Sequence, residues 1–129
     1  MKSGYQLIDR DSRRLIVSQL EVAATWWRRF VGCQFRAHPG RGFGLLLVPC
    51  HSVHTCFLRF PLDIALLDQT GRVVGIRLGV RPWRAIMPVK GAFAVVEVPS
   101  GTTELESGQR LQVVAGAGEP IPKLLQAMS

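Results

Sequence analysis

The sequence is made of short apolar runs separated by turn-forming residues, and this pattern favours β-strands over helices. Residues 62–80 show it most clearly, because the turn sequence DQTG at Asp68–Gly71 divides them into two apolar runs. In the second run, Val74, Ile76 and Leu78 alternate with smaller or charged residues, which is typical of a half-buried strand. We therefore predict a β-hairpin over residues 62–80.

Similar runs on both sides of this hairpin predict further strands. They are Tyr5–Ile8, Arg14–Val17, Gly44–Val48, Val53–Phe60, Phe93–Val98 and Leu111–Val114. The last apolar segment, KLLQAM, is predicted to form one short helical turn. Parallel βαβ units are not expected, because no helices alternate with the strands.

One segment has the pattern of a helix. Ser18 and Glu21 form the capping box S-x-x-E, in which each side chain accepts a hydrogen bond from a backbone N–H at the helix start. Apolar residues then recur at helical spacing and would form a core-facing stripe: Leu20, Ala24, Trp27 and Val31. Gly32 can end the helix. We predict a helix over Gln19–Val31.

These elements predict a single domain, 1–129, of the mainly β (β-rich α+β) class, with residues 116–129 as a C-terminal tail. The expected architecture is a compact β-sandwich or rolled barrel of about seven or eight short strands, with the one helix of the N-terminal half packed on it. No apolar run approaches the roughly 20 residues of a membrane span. The charged start, MKSGYQLIDRDSRR, lacks the apolar segment of a signal peptide, so we expect a cytoplasmic location.

The charge balance favours anionic partners. Lys and Arg number 16 against 9 Asp and Glu, which gives a net charge of +7. The basic residues are spread along the chain, in pairs such as Arg13–Arg14 and Arg28–Arg29, and do not form one block. Nucleic-acid binding is therefore an alternative that we do not favour, since composition alone explains much of this charge.

The stretch PCHSVHTCFLRFPLD, residues 49–63, concentrates the chemically reactive side chains. It contains four good metal ligands: Cys50, His51, His54 and Cys56. On a strand, however, Cys50 and Cys56 would lie roughly 20 Å apart, too far to share one tetrahedral ion. We predict no metal and no cofactor, with the cysteines acting as small buried apolar residues.

Two other uses of this stretch remain open. Cys56 with His54 as its base and Asp63 as the orienting group would be the catalytic residues of an enzyme, although no cysteine-hydrolase signature surrounds them. An enzyme that uses a metal ion held by His54 is the other form of this alternative. Alternatively, the stretch forms a ligand-binding surface from His54, Thr55, Arg59 and Asp63. The planar fork of Arg59 would then hold a carboxylate or a phosphate. Arg59 could instead pair with Asp63 and hold the corner between them.

The sequence RPWR, at residues 81–84, adds two residues to this predicted surface. Trp83 stands between two arginines, a setting that favours stacking of a base, a sugar or a cation on its indole ring. We therefore include Trp83 and Arg84 among the predicted ligand-binding residues. A tryptophan that merely anchors the loop is the alternative.

Several ordered motifs resemble one known family. The string HTCFLRFPLDIALLDQTGRVVGI, the VRPW segment and VVEVPSGT…SGQRLQV resemble the family catalogued as domain of unknown function 192. The matching positions are Phe57, Pro61, Leu62, Asp63, Asp68, Gly71, Val73, Val74, Glu97, Pro99, Gly101, Gly108 and Leu111. The chain departs from the family pattern at Leu58, where methionine is usual, and at FVGCQFRA, where a glycine-leucine-methionine-arginine run is expected.

The resemblance implies a compact β-sandwich-like fold and no established reaction. Many relatives look secreted, whereas this sequence shows no signal peptide. The family's most distinctive segment contains His54, Thr55, Arg59 and Asp63. We therefore expect a non-enzymatic ligand-binding or accessory protein that binds a small anionic molecule or a protein partner.

Overall fold

A computed structural model of the chain describes residues 4–23, 40–50, 53–54, 59–116, 118 and 120–129. The strands are β1 Tyr5–Asp9, β2 Leu15–Ala23, β3 Phe43–Leu47, β4 Val53–His54, β5 Leu62–Leu67, β6 Val73–Val80, β7 Ala85–Ile86, β8 Ala94–Pro99 and β9 Leu111–Ala115. A 3-10 helix spans Lys123–Met128. No helix in this described part is long and apolar enough to cross a membrane.

Within the described residues, seven strands form one curled sheet in the order β6-β5-β8-β3-β2-β1-β9. All neighbours are antiparallel except β2 and β3, which pair in parallel. Strands β4 and β7 form a separate antiparallel pair. The mainly β class predicted from the sequence is therefore confirmed, with the main sheet curled into a half-barrel.

The two edge strands of the curled sheet meet at one end. Arg72, just before β6, forms an antiparallel bridge with Arg110, just before β9. Val73 donates its backbone N–H to the carbonyl of Gln109, and Leu111 donates to that of Gly71, both at 2.8 Å. We call this the closed end of the sheet. Strand β6 continues from there along β5 and ends at Val80, which pairs with Leu62 at the start of β5.

Apolar residues cover both faces of the curled sheet. The inner cluster includes Leu7, Leu20, Leu46, Val96 and Leu111, and it is capped by Leu125 and Met128 of the 3-10 helix. The outer cluster includes Leu45, Leu47, Ile64, Leu66, Phe60 and Ile86. Every residue of β3, β5 and β8 is buried, because these central strands have an apolar cluster on each side. Burial on both faces explains why these runs show no alternation.

The helix predicted over Gln19–Val31 is wrong at its start. Residues 19–23 belong to strand β2, and residues 24–31 lie outside the described residues. Ser18 caps no helix, since its hydroxyl donates a hydrogen bond to the carbonyl of Gly42 at 3.3 Å. Glu21 is a buried strand residue rather than a capping partner.

The other predicted elements have mixed outcomes. The hairpin over residues 62–80 and the helical turn KLLQAM are confirmed. Of the strand predicted over Val53–Phe60, only Val53–His54 is a described strand, residues 59–60 form a bend, and residues 55–58 lie outside the described residues. No parallel βαβ unit was expected, yet β2 and β3 are parallel; most of the segment that connects them lies outside the described residues.

Candidate functional site

Asp63, the second residue of β5, joins the start of β5 to the end of β6 and to the turn after β8. Its side chain is buried. One carboxylate oxygen accepts hydrogen bonds from the backbone N–H of Gly79 at 2.8 Å and from the hydroxyl of Ser100 at 2.9 Å. The other oxygen accepts a bond from the N–H of Gly101 at 3.1 Å. These bonds compensate the burial of the carboxylate and tie β5 to the end of β6 and to the turn after β8.

Gly79 and Ser100, which Asp63 holds, also line a surface cleft of about 440 Å³. The other described residues of its lining are Arg59, Phe60, Pro61, Arg81 and Pro82. We call it the arginine cleft. Arg59 and Arg81 are both exposed, and none of the described lining residues is acidic. The cleft therefore presents positive charge on a floor that Asp63 holds in place.

A second depression, of about 410 Å³, adjoins the arginine cleft and shares Gly79 and Arg81 with it. We call it the apolar groove. Its further lining residues are the apolar Leu78, Val80, Ala85, Ile86 and Met87 and the basic Arg77 and Arg84. Acidic side chains are again absent from the described lining. The two depressions thus form one continuous surface with a basic part and a mixed apolar and basic part.

Strand β7 forms one wall of the apolar groove and is held there by β4. His54 of β4 pairs with Ala85, and Val53 pairs with Ile86. The backbone of His54 therefore lies beside the groove, but its side chain is not described. Thr55 and Cys56 lie outside the described residues, so the predicted Cys56–His54 catalytic pair stays a prediction.

Arg59 and Asp63 belong to the same site in different roles. Asp63 is bonded to Gly79, Ser100 and Gly101, and Arg59 is not among the described partners of its carboxylate. Arg59 instead lines the arginine cleft and is an exposed residue. The ligand-binding role predicted for Arg59 stays a prediction.

Trp83 and Arg84 lie on the loop between β6 and β7. Trp83 is 65% exposed and has a φ of 62°, a left-handed conformation that is uncommon outside glycine. Its carbonyl accepts a hydrogen bond from the Arg84 guanidinium group at 3.4 Å. Trp83 is therefore one of the exposed large apolar residues of the described part of the chain, and its predicted stacking role stays a prediction. Trp83 flanks the two depressions without lining either, whereas Arg84 lines the apolar groove.

Sequence reasoning missed several residues of this site, namely Arg77, Gly79 and Ser100. A charge count along the chain could have found the first of them. Residues 69–96 contain five basic residues and no acidic residue, and they include Arg77, Arg81 and Arg84. Gly79 and Ser100 leave no such signal, because their role depends on contacts with Asp63 across the fold.

Two buried carboxylates lie elsewhere on the sheet. Glu21 of β2 and Glu97 of β8 are both buried, and both pair in register with Leu45 of the intervening strand β3. Residues directly opposite each other in neighbouring strands point to the same face, so both glutamates lie on the side of the outer cluster. The described residues include no group of three side chains that could hold a metal ion.

Two solved structures have the same fold. A candidate transcription regulator from Sinorhizobium meliloti superposes with a TM-score of 0.72 and 22% identity, over 84% of this chain and 91% of that one. A protein of unknown function from Novosphingobium aromaticivorans gives a TM-score of 0.69 and 21% identity, over 84% and 82% of the two chains. At these identities the similarity extends to the fold alone.

Sequence comparison identifies closer relatives in archaea. A UPF0127 protein of Pyrococcus furiosus is 30% identical over 102 residues, which cover 73% of this chain and 85% of the relative. A UPF0127 protein of Thermococcus sibiricus is 27% identical over 104 residues, covering 76% of this chain and 66% of the relative. The family DUF192, described as "Uncharacterized ACR", matches residues 7–113. The chain therefore belongs to the DUF192 family, as its motifs predicted.

Proposed function

We propose that this chain is a non-enzymatic binding domain whose arginine cleft takes a small anionic ligand. The observation that carries the proposal is the composition of the cleft. Arg59 and Arg81 come from separate segments and line the same depression, and its described lining contains no acidic side chain. A guanidinium group presents a planar fork of donors that matches a carboxylate or a phosphate.

The hydrogen bonds under the cleft support binding rather than catalysis. Ser100 donates its hydroxyl proton to Asp63, and the N–H groups of Gly79 and Gly101 are also bonded to that carboxylate. These three donors are therefore already hydrogen-bonded to Asp63, and the bonds keep the floor of the cleft in place. Contacts to an anion would come from the exposed arginines, which bind charge without proton transfer, since arginine stays protonated in proteins.

The distribution of arginine gives less support to a nucleic-acid interface. Arg10, Arg13 and Arg14 lie in the turn after β1, and Arg10 donates its backbone N–H to Arg110 at the closed end. A nucleic-acid-binding surface would favour one continuous basic stripe, and Arg10, Arg13 and Arg14 are not among the described lining residues of the arginine cleft or the apolar groove.

The proposal is tested by calorimetric titration of the protein with inorganic pyrophosphate at low ionic strength. Charge-assisted hydrogen bonds contribute about 1.5–3 kcal/mol each, so Arg59→Gln and Arg81→Gln should each weaken binding by roughly tenfold or more. Arg10→Gln is the matched control, because it removes the same charge from an exposed position at the closed end. It should leave the affinity nearly unchanged.

Equal losses in all three variants would mean that the protein binds anions through its net charge and would overturn the proposal. An absence of pyrophosphate binding together with DNA binding that weakens steeply with added salt would favour the nucleic-acid alternative instead.

A further inference from the structure

We infer that the ligand is an amphipathic anion, whose charged group binds in the arginine cleft while an aliphatic chain lies along the apolar groove. This inference rests on the proposed function, because it takes the arginine cleft as the anion site. It adds the chemical class of the ligand, which the cleft alone does not define.

The first argument is the continuity of the two depressions. Gly79 and Arg81 line both of them. Gly79 has no side chain to divide the surface at this junction, and its N–H is bonded to Asp63 beneath. A ligand held by Arg81 in the arginine cleft can therefore extend past Gly79 into the apolar groove. Each depression also has a volume in the range typical of small-molecule sites, about 300–1,000 Å³.

The second argument is the exposure of apolar side chains around the groove. Four large hydrophobic residues are exposed among those the structure describes, and three of them lie within residues 78–87. Leu78 is 65% exposed and Met87 is 72% exposed, and both line the apolar groove. Exposed apolar residues that cluster in this way mark binding surfaces more often than residues scattered singly.

The third argument is charge. Arg77 and Arg84 line the apolar groove together with Leu78 and Met87. A neutral apolar ligand would cover these guanidinium groups without compensating their lost hydration. An amphipathic anion provides apolar contacts for the aliphatic side chains and a negative charge near the arginines. The surface therefore matches a ligand that carries both properties.

The test compares butyl phosphate, octyl phosphate and the neutral octyl glucoside by calorimetry, with the detergents below their micellar concentrations. Each additional methylene that is buried should tighten binding by about twofold to fourfold. Octyl phosphate is therefore expected to bind at least about tenfold more tightly than butyl phosphate, and octyl glucoside much more weakly than octyl phosphate.

The variants Leu78→Ser and Met87→Ser together should remove most of this chain-length dependence and leave pyrophosphate binding unchanged. Leu15→Ser is the matched control, since Leu15 is 50% exposed and lies on β2 in the pairing with Ile8, away from the groove. Both substituted positions are exposed, so the variants should fold.

The failures of the two proposals are distinguishable. Retained pyrophosphate binding with no gain from butyl to octyl phosphate overturns the inference and leaves the anion site intact. Loss of pyrophosphate binding itself overturns the proposed function. Equal binding of octyl glucoside and octyl phosphate, or binding to phosphatidic acid vesicles without binding to monomeric octyl phosphate, also overturns the inference.

Discussion

The side chain of Asp63 connects three segments that are far apart in the sequence. Gly79 is 16 residues away from it, and Ser100 is 37 residues away. The sequence predicted Asp63 as a ligand-binding residue because it lies in the segment most distinctive of the family. In the structure its carboxylate accepts hydrogen bonds from Gly79, Ser100 and Gly101, the first two of which line the arginine cleft, and its predicted contact with a ligand stays a prediction.

We expect Asp63→Asn to destabilise the fold by about 1–3 kcal/mol, the typical cost of leaving a buried polar group unsatisfied. The amide oxygen can still accept bonds from Gly79 and Ser100, but the amide nitrogen would face the N–H of Gly101, which is also a donor. Urea unfolding measures the effect. Asp11→Asn, at an exposed position in the turn after β1, is the control and should change stability little.

A loss of stability no larger in Asp63→Asn than in Asp11→Asn would contradict this account of the floor. A loss of pyrophosphate affinity in Asp63→Asn without any loss of stability would instead indicate that Asp63 acts on the ligand directly.

At the scale of the elements, Gly71 shows how tightly the closed end is packed. Gly71 has a φ of 90°, and a Cβ atom built on it would collide with the carbonyl oxygen of Leu111. Gly91 has a similar φ of 85°, but a Cβ atom there would meet nothing within 4 Å. Alanine variants at the two positions therefore distinguish the cost of backbone strain, which both share, from the cost of the steric clash, which only Gly71 would have.

Gly91→Ala should cost about 1–2 kcal/mol from backbone strain alone. Gly71→Ala should cost about 1–3 kcal/mol more, because the clash forces β6 and β9 apart at the closed end. The measurement is the midpoint of thermal or urea unfolding for the two variants. Equal midpoints would mean that the closed end accommodates the added methyl group without losing stability. This result would contradict the tight packing inferred here.

The elements also show why the sequence predicted most strands correctly but gave a helix at β2. Tyr5 pairs with Leu20 and Leu7 pairs with Val17, so three steps along β2 match two along β1. Such a bulge shifts the alternation of side chains by one residue. It places the buried Val17 and Leu20 three residues apart, which is also a helical spacing. The helix itself was predicted from the S-x-x-E pattern and from an apolar stripe that begins at Leu20, and the rest of that stripe lies outside the described residues.

At the scale of the whole molecule, two carboxylates make the stability of the closed end depend on pH. Hydrogen bonds from the Ser12 backbone and the Gln109 side chain hold the pKa of Asp9 below its ordinary value of 3.8. Burial acts to raise the pKa of Asp68, but hydrogen bonds from Thr70 and from the Arg72 N–H outweigh it, so this pKa is lowered as well. Asp9 is the last residue of β1 and Asp68 directly follows β5, and both lie next to the closed end.

A carboxylate with a lowered pKa in the folded state stabilises the fold above its unfolded-state pKa, and this contribution is lost as the pH falls through the folded-state pKa. The variant Asp9→Asn/Asp68→Asn should therefore be less stable than the parent at neutral pH. The difference in the free energy of unfolding should shrink as the pH falls from about 4 towards about 2. Urea unfolding at a series of pH values measures it, and a difference that stays constant would contradict the prediction.

The fold class was predictable for the whole molecule because each strand carries a local apolar pattern. The order of the strands was not, since β8 inserts between β5 and β3 without any local signal. The candidate site was predicted in part. Arg59 and Arg84 were identified from sequence, whereas the floor formed by Gly79 and Ser100 depends on contacts between distant segments.

The position of β8 in the sheet has a consequence for the protein as it is synthesised. Strand β8 joins β5 to β3, so before β8 has been made the described strands of the main sheet form two groups, β1–β3 and β5–β6, which share no hydrogen-bonded neighbour. Until residues 94–99 emerge, the edges of β3 and β5 lack the strand that will cover them. Open apolar edges of this kind are the ones that associate with other chains. We expect the nascent protein to need protection from aggregation until β8 has been made.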